Sequence, residues 1–423
     1  MKKSSIFAAI AGNIIEWYDF ALYMFLAPVI AQNFFAEENH LNAMLSTFMI
    51  FAIGFFIRPV GSIIFGHLGD RYGRTKTLKF SILLISIPTI AIGLLPTYDN
   101  WGIYAGLTLA FLRLLQGVCI GGEFAGSMIY LTEMAAPDKR AYISSMANNG
   151  SNFGVLCATL IAAFISSCMS ESAFYDYGWR IPFILGGVLG LVGLWFRRNL
   201  LETPVFDALS TEKKLLAFPI LSVFKHHKKN MLHIFLLLVM SAAGSHVLLE
   251  FMSTYLNQYF DYPLNTALQV QSIYNFMTFF LVAMAAKLSD RYGRRSLLMV
   301  SALGYIIFTV PCFYFLKITG LWICLFPLII FYCIEQATTP VTMVELFSPA
   351  ARYTGISISY NTTMALVAGT APMLNTWLVA KFDDPMMIGY YLIVAALISL
   401  PVIYNHLPKQ FGKDRDLILD AQS

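Results

Sequence analysis

In the stretch GNIIEWYDF, Gly12 to Phe20, two acids, Glu16 and Asp19, stand three residues apart in a run of roughly thirty mostly apolar residues. On a helix, positions i and i+3 share a face, with Asn13 one turn before, Tyr23 one turn after and Tyr18 beside them. A second polar set lies in RLLQGVCIGGEFAGS, which carries Arg113, Gln116 and Glu123, and Arg58 interrupts another apolar run. The chemistry open to such a set is proton carriage. Burial favours the neutral form of a carboxyl group and an adjacent guanidinium favours the ionised form, so an acid that alternates between the two settings takes up and releases a proton. A guanidinium that loses its acid can grip a carboxylate solute with two parallel hydrogen bonds, and Arg58 and Arg113 are the candidates. Asp19 is the expected proton site and Arg113 its switchable partner, with Glu16 and Glu123 as rival proton sites. The alternative is that the buried pair only fixes helix packing.

The elements that position these residues follow from composition. Of 423 residues, 58% belong to the hydrophobic set and 12% are charged, which describes a membrane protein and excludes a soluble enzyme. A bilayer core about 30 Å thick needs roughly 20 apolar residues per helix. Twelve windows meet that need: 6–32, 43–66, 78–96, 101–131, 143–168, 179–196, 231–258, 267–288, 296–316, 321–344, 354–380 and 386–406. A carboxylate at mid-span costs about 2.5 to 3.5 kcal/mol against about 0.3 to 0.6 returned by each Leu or Phe, so the acids must face protein or water. Gly117 with Gly121, and Gly122 with Gly126, give the spacing that lets a neighbouring helix approach closely.

Basic residues alternate between the two sides. With the N-terminus inside, Lys2, Lys3, Arg71, Arg74, Lys76, Lys139, Arg140, Arg197, Arg198, Lys228, Lys229, Arg291, Arg294, Arg295 and Arg352 fall on the inner side, while Glu37, Glu38 and Asp99 fall outside. Both termini are therefore expected to be cytoplasmic. The first window is too long for a signal peptide and lacks a cleavage site after it, so it is expected to stay. The net charge of +4 reflects this bias and not a nucleic-acid footprint. The six cysteines lie in or beside the windows with no CxxC and read as packing residues, so no metal is expected. No Walker loop is present, and no cofactor is expected.

The sequence repeats itself about a polar insert at 197–230. GHLGDRYGRTK (66–76) is echoed by AKLSDRYGRRS (286–296), and Glu133, Pro137 and Arg140 recur with the same spacing as Glu345, Pro349 and Arg352. The expected organisation is a six-helix bundle at 1–196, a linker at 197–230, a second six-helix bundle at 231–408 and a short tail at 409–423. Asp70, Arg71, Arg74, Glu133 and Arg140, with Asp290, Arg291, Arg294, Glu345 and Arg352 in the second half, are expected to cap helix starts and pair across helices as gates.

At these motifs the chain resembles the major facilitator superfamily, whose fold is two six-helix bundles around a central cavity. GNIIEWYDF, IRPVGSIIFGHLGDRYGR, RLLQGVCIGGEFAGS, WRIPF, ETPVF and RYTGISISYN resemble its metabolite:proton symporter family, which includes carriers of proline and betaine, citrate, 2-oxoglutarate and shikimate. The resemblance implies an acid on the first helix working with an Arg on the fourth, which falls on Asp19 and Arg113. The chain ends soon after the last window, without the coiled-coil tail of the osmosensing carriers, so an osmosensory role is not expected. The expected fold is all-α with twelve transmembrane helices. The expected function is proton-coupled uptake of a small organic acid or zwitterion by alternating access, as a monomer in the bacterial inner membrane. A proton-driven exporter and a non-transporting sensor are the rivals. Expected substrate contacts are Asn13, Tyr18, Arg58, Arg113 and Gln116 in the first half, and Glu250, Glu335, Gln336, Tyr360 and Asn361 in the second. His246 lies in the same span as Glu250 and reads as an interior imidazole.

Overall fold

The computed structural model describes residues 3–35, 40–212, 214–216, 219–262 and 264–407. Lys2, Glu37, Glu38, Lys213, the tail 409–423 and the side chains of Lys3 and Glu250 lie outside the described residues. Every regular element among the described residues is helical. A chain with this apolar content must satisfy its backbone within each segment, which leaves the helix as the unit of span.

Twelve segments correspond to the twelve windows. Those after the first are α2 (Ser46–Tyr72), α3 (Arg74–Leu94), α4 (Ile103–Met134), α5 (Pro137–Ser167), α6 (Phe174–Arg197), α7 (Lys228–Leu249), α8 (Gln269–Tyr292), α9 (Arg294–Thr319), α10 (Trp322–Leu346) and α12 (Met387–His406). These ten are long and apolar enough to cross a bilayer unaided. The first window differs from a single rod. Here α1 (Lys3–Phe25) ends at Leu26, and the chain turns by 68° into Ala27–Phe34, with Pro28 in the first turn of the second piece. The eleventh is also broken: α11 (Arg352–Thr363) runs through a π turn at Met364–Ala368 and resumes as Ala371–Phe382. A π turn likewise follows α7, at His246–Glu250. Such wide turns recur at functional places in helices.

In the first half α1 packs on α5 and α6, and α3 on α6; in the second, α7 packs on α12 and α9 on α10. The halves meet through two matched contacts, α2 with α11 and α5 with α8. Backbone approach between α2 and α4 depends on glycine. A methyl group on Gly61 would strike the Val118 carbonyl, one on Gly117 that of Gly54, and one on Gly121 that of Arg58. The repeated DRYGR turns reverse the chain at Gly73 (φ 110°) and Gly293 (φ 89°), a region that side-chain-bearing residues avoid.

The insert after α6 is held against the first half. Thr203 caps the short helix Pro204–Thr211, its Oγ1 accepting from the Phe206 amide at 3.2 Å. The Glu202 carboxylate accepts from the amides of Arg74 and Thr75 at 3.1 Å and so caps the start of α3.

Candidate functional site

The acids of α1 face the interior of the first half. Asp19 is wholly buried and ion-paired with Nη1 of Arg113 on α4. Gln116, one turn further along α4, closes the cluster. Its Oε1 accepts from Arg113 Nη1 at 2.9 Å, and its Nε2 donates to Asp19 Oδ1 at 3.1 Å and to Thr89 Oγ1 of α3 at 2.8 Å. The Tyr23 ring lies under the guanidinium, 3.9 Å from its carbon, which favours the cation further. Arg113 Nε and Nη2 are buried and have no partner among the described residues. The arrangement therefore satisfies the carboxylate while leaving donors of the guanidinium unused.

One turn away, Glu16 approaches Arg58 at 3.6 Å, and the Arg58 guanidinium sits between the rings of Phe20 and Phe55 at 4.3 and 4.2 Å. Arg58 stands where α2 restarts after Ile57 with Pro59 in its first turn. Glu16 Oε2 is buried without a partner among the described residues. Two acid–arginine pairs thus occupy one stripe of α1, as the i, i+3 spacing requires.

Glu123 takes a separate place. It pairs with Arg197 and accepts from Ser81, away from Asp19. Arg197 is wholly buried; it donates to the carbonyls of Ala8 (2.8 Å), Ala9 (2.7 Å) and Leu78, joining α6 to the starts of α1 and α3. Sequence reasoning took Arg197 for a topogenic charge, because an Arg at the end of an apolar window looks the same whether it points to water or folds inward. Removing it strands a buried carboxylate. Arg197→Gln is expected to destabilise the protein by about 3 to 5 kcal/mol, read as a fall in the melting temperature of detergent-purified protein, with Glu123→Gln in the same chain restoring much of the loss.

Asn13 and Tyr18 are engaged in packing. Asn13 donates to the Ala147 carbonyl at 3.1 Å and accepts from Ser127 at 3.0 Å, and the Tyr18 hydroxyl donates to the Pro182 carbonyl at 2.8 Å. In the second half, Asn361 donates to the carbonyls of Gly121 (2.8 Å) and Ser357 (2.9 Å), and Tyr360 stacks on Phe124 at 4.7 Å between ring centres. Both join α11 to α4. Gln336 donates to Ser241 Oγ at 3.2 Å, and its carbonyl accepts from Asn148 of α5 at 2.8 Å. Glu335 is buried and accepts from Thr339 at 2.8 Å. His246 is buried beside Phe251. The structure thus brings Asp19, Arg113, Gln116, Glu16 and Arg58 together and sets Glu123, Asn13, Tyr18, Tyr360 and Asn361 into helix contacts. Thr89, Tyr23, Phe20 and Phe55 complete the cluster; only Tyr23 carried a sequence signal, its place one turn beyond Asp19.

At the basic face the two halves are tied by repeated devices. Asp70, at the end of α2, accepts from the amides of Tyr353 (3.1 Å) and Thr354 (2.9 Å) in the first turn of α11; Asp290, at the end of α8, accepts from those of Ala141 (2.8 Å) and Tyr142 (2.9 Å) in α5. Each is linked to the Arg four residues on, Arg74 at 3.6 Å and Arg294 at 3.1 Å. Arg74 also meets Glu133 at 3.3 Å and Arg294 meets Glu345 at 3.3 Å, while Arg352 of the second half meets Glu133 of the first at 2.7 Å. Arg140, which the repeat matches to Arg352, is buried at the start of the short helical turn that opens α5. Arg71 and Arg291 are exposed and lie over the following Tyr72 and Tyr292. The basic face is closed in this state.

Comparison with known proteins agrees with this architecture. A family model described as Major Facilitator Superfamily matches residues 9–372. A putative proline/betaine transporter of Staphylococcus aureus (strain COL) is 32% identical over 413 residues, 96% of this chain and 88% of the relative. The glycine betaine/proline/ectoine/pipecolic acid transporter OusA of Dickeya dadantii (strain 3937) is 33% identical over 410 residues, 94% and 82% of the two chains. Among solved structures, the proton:xylose symporter XylE bound to 6-bromo-6-deoxy-D-glucose superposes with a TM-score of 0.82 at 17% identity, over 99% of this chain and 98% of that one.

Proposed function

Because this chain belongs to the major facilitator superfamily and is a multi-pass membrane transporter, we propose that it couples inward proton movement to the uptake of a small zwitterion or organic acid by alternating access. The observation that carries the reading is the Asp19–Arg113 pair with its two unused guanidinium nitrogens. A proton arriving at Asp19 neutralises the acid, frees Arg113, and gives a solute carboxylate a buried bidentate partner. Solute and proton then bind in support of each other.

In this reading Glu16 and Arg58 form the neighbouring pair that shapes the cavity wall, and its aromatic surround suits the apolar body of a betaine or proline-like solute. The relatives named for proline and betaine favour a zwitterion over a polycarboxylate. The basic face is the cytoplasmic one, both termini lie inside, the membrane is the bacterial inner membrane, and the monomer is the working unit. The closed basic face is what the outward-facing state of the cycle requires.

Proteoliposomes test this directly. With an acid outside, an alkaline interior and an interior-negative potential, labelled proline or glycine betaine is expected to accumulate inside, and the potential alone supports a ratio of about fifty per 100 mV for each charge moved. Expulsion of preloaded solute under the same gradient would assign the chain as an exporter. Saturable counterflow excludes a channel or a sensor.

A further inference from the structure

Seven acids among the described residues of the helices are buried: Glu16, Asp19, Asp70, Glu123, Glu133, Glu335 and Glu345. Six of them have an arginine partner. Glu335, on α10, is the exception. Its Oε1 accepts from Thr339 at 2.8 Å, while Oε2 is buried without a partner among the described residues.

The groups around it are neutral. Tyr305 faces it from α9, its hydroxyl buried and also without a partner among the described residues. Its own helix contributes Tyr332 and Cys333, and α7 contributes Ser241 and Gly244. A methyl group on Gly244 would come within 2.8 Å of the Tyr305 hydroxyl, so the glycine leaves room for that group. From α4, α5, α8 and α11, which also pack on α10, no described residue forms an ion pair with Glu335. An ionised carboxylate walled in this way would lack both water and a countercharge, at a cost of several kcal/mol. A carboxylic acid there costs far less.

We propose that Glu335 is a second proton-binding site, neutral while the basic face is closed and discharged when that face opens. The exit route is also visible. The next residue, Gln336, holds Ser241 with its side chain and accepts from Asn148 of the first half with its carbonyl. Parting the halves breaks the Asn148 contact and admits water beside Ser241, where an ionised Glu335 becomes soluble. The inference rests on the proton-coupled reading above and adds a site in the half opposite Asp19.

Infrared spectra of the full-length protein and Glu335→Gln at neutral pH test the resting state. A carboxylic-acid carbonyl band that shifts in deuterated water is expected in the wild type and is lost in the variant; identical spectra overturn the proposal. Reversal-potential measurements in proteoliposomes with proline test the coupling. Glu335→Gln is expected to lower the proton-to-proline ratio by one, and Glu335→Asp to restore it. An unchanged ratio overturns the proposal, as does sodium rather than acid setting the intensity of the band. If Glu335→Gln fails to fold, Thr339→Val takes its place: it removes the hydrogen bond to Oε1, and the band must then move. Asp19→Asn run in parallel keeps the two ideas apart: a normal Glu335→Gln beside an uncoupled Asp19→Asn sinks only the second site.

Discussion

Asp19→Asn is expected to remove one proton's worth of gradient-driven accumulation while leaving counterflow of the solute largely in place. Asn fills the same volume and offers one oxygen to Arg113, so the guanidinium keeps a neutral neighbour in addition to Gln116 at 2.9 Å. What it lacks is a charge that comes and goes. The variant therefore imitates the carrier with this site loaded: solute binds, both faces open in turn, and no proton moves on Asp19. The accumulation ratio falls about fiftyfold per 100 mV, a loss of about 2.3 kcal/mol of driving force for the one charge. Arg113→Lys separates this from a simple packing defect. A lysine carries the charge but cannot reach Asp19 and Gln116 while offering two further donors to a solute, so accumulation and counterflow should both fail. Wild-type accumulation by Asp19→Asn would remove Asp19 from the coupling role.

Much of this arrangement was legible in the chain. The cost of two carboxylates within one apolar run required a protein-facing stripe, and the i, i+3 spacing placed Glu16 and Asp19 on it. The repeated DRYGR turns and the Glu, Pro, Arg echo announced the two matched halves, because two independent motifs recur in the same order with the same internal spacing. Other features were not readable, for a physical reason. A buried Asn or Tyr reads alike whether it points into a cavity or at a neighbouring carbonyl, so Asn13, Tyr18 and Asn361 gave no sign of their role in packing. Arg197 and Glu123 lie 74 residues apart with no pattern joining them. The break after Phe25 had a local sign in Pro28, but apolar length alone read 6–32 as one rod.

The gate follows from the same repeat, and its variants should move the conformational equilibrium without touching the solute site. Each of Asp70 and Asp290 accepts two amide hydrogens at a helix start in the opposite half, where the helix dipole adds to the attraction. Hydrogen bonds to a charged group contribute about 1.5 to 3 kcal/mol each, and opening the basic face must break all four. An Asn at either position accepts with one oxygen and turns an NH2 group toward the second amide, so at least one charged bond is exchanged for a donor facing a donor. A shift of about 2 to 3 kcal/mol toward the open state follows, roughly 30-fold to 160-fold in the closed-to-open ratio. Tyr72 and Tyr292 are exposed at the tips of α2 and α8 in opposite halves, and spin labels on cysteines placed there, after the native cysteines are replaced, report the separation. The reference chain should give mainly the short distance. Asp70→Asn and Asp290→Asn should each move weight to a longer one, to a similar extent because the devices are matched, and the double variant should move more. Uptake should fall at least tenfold in each, since a carrier held open to one side spends few cycles at the other. Distance distributions that stay as in the reference chain would mean that the amide caps do not hold the face shut, leaving closure to contacts such as the Arg352–Glu133 pair that crosses between the halves.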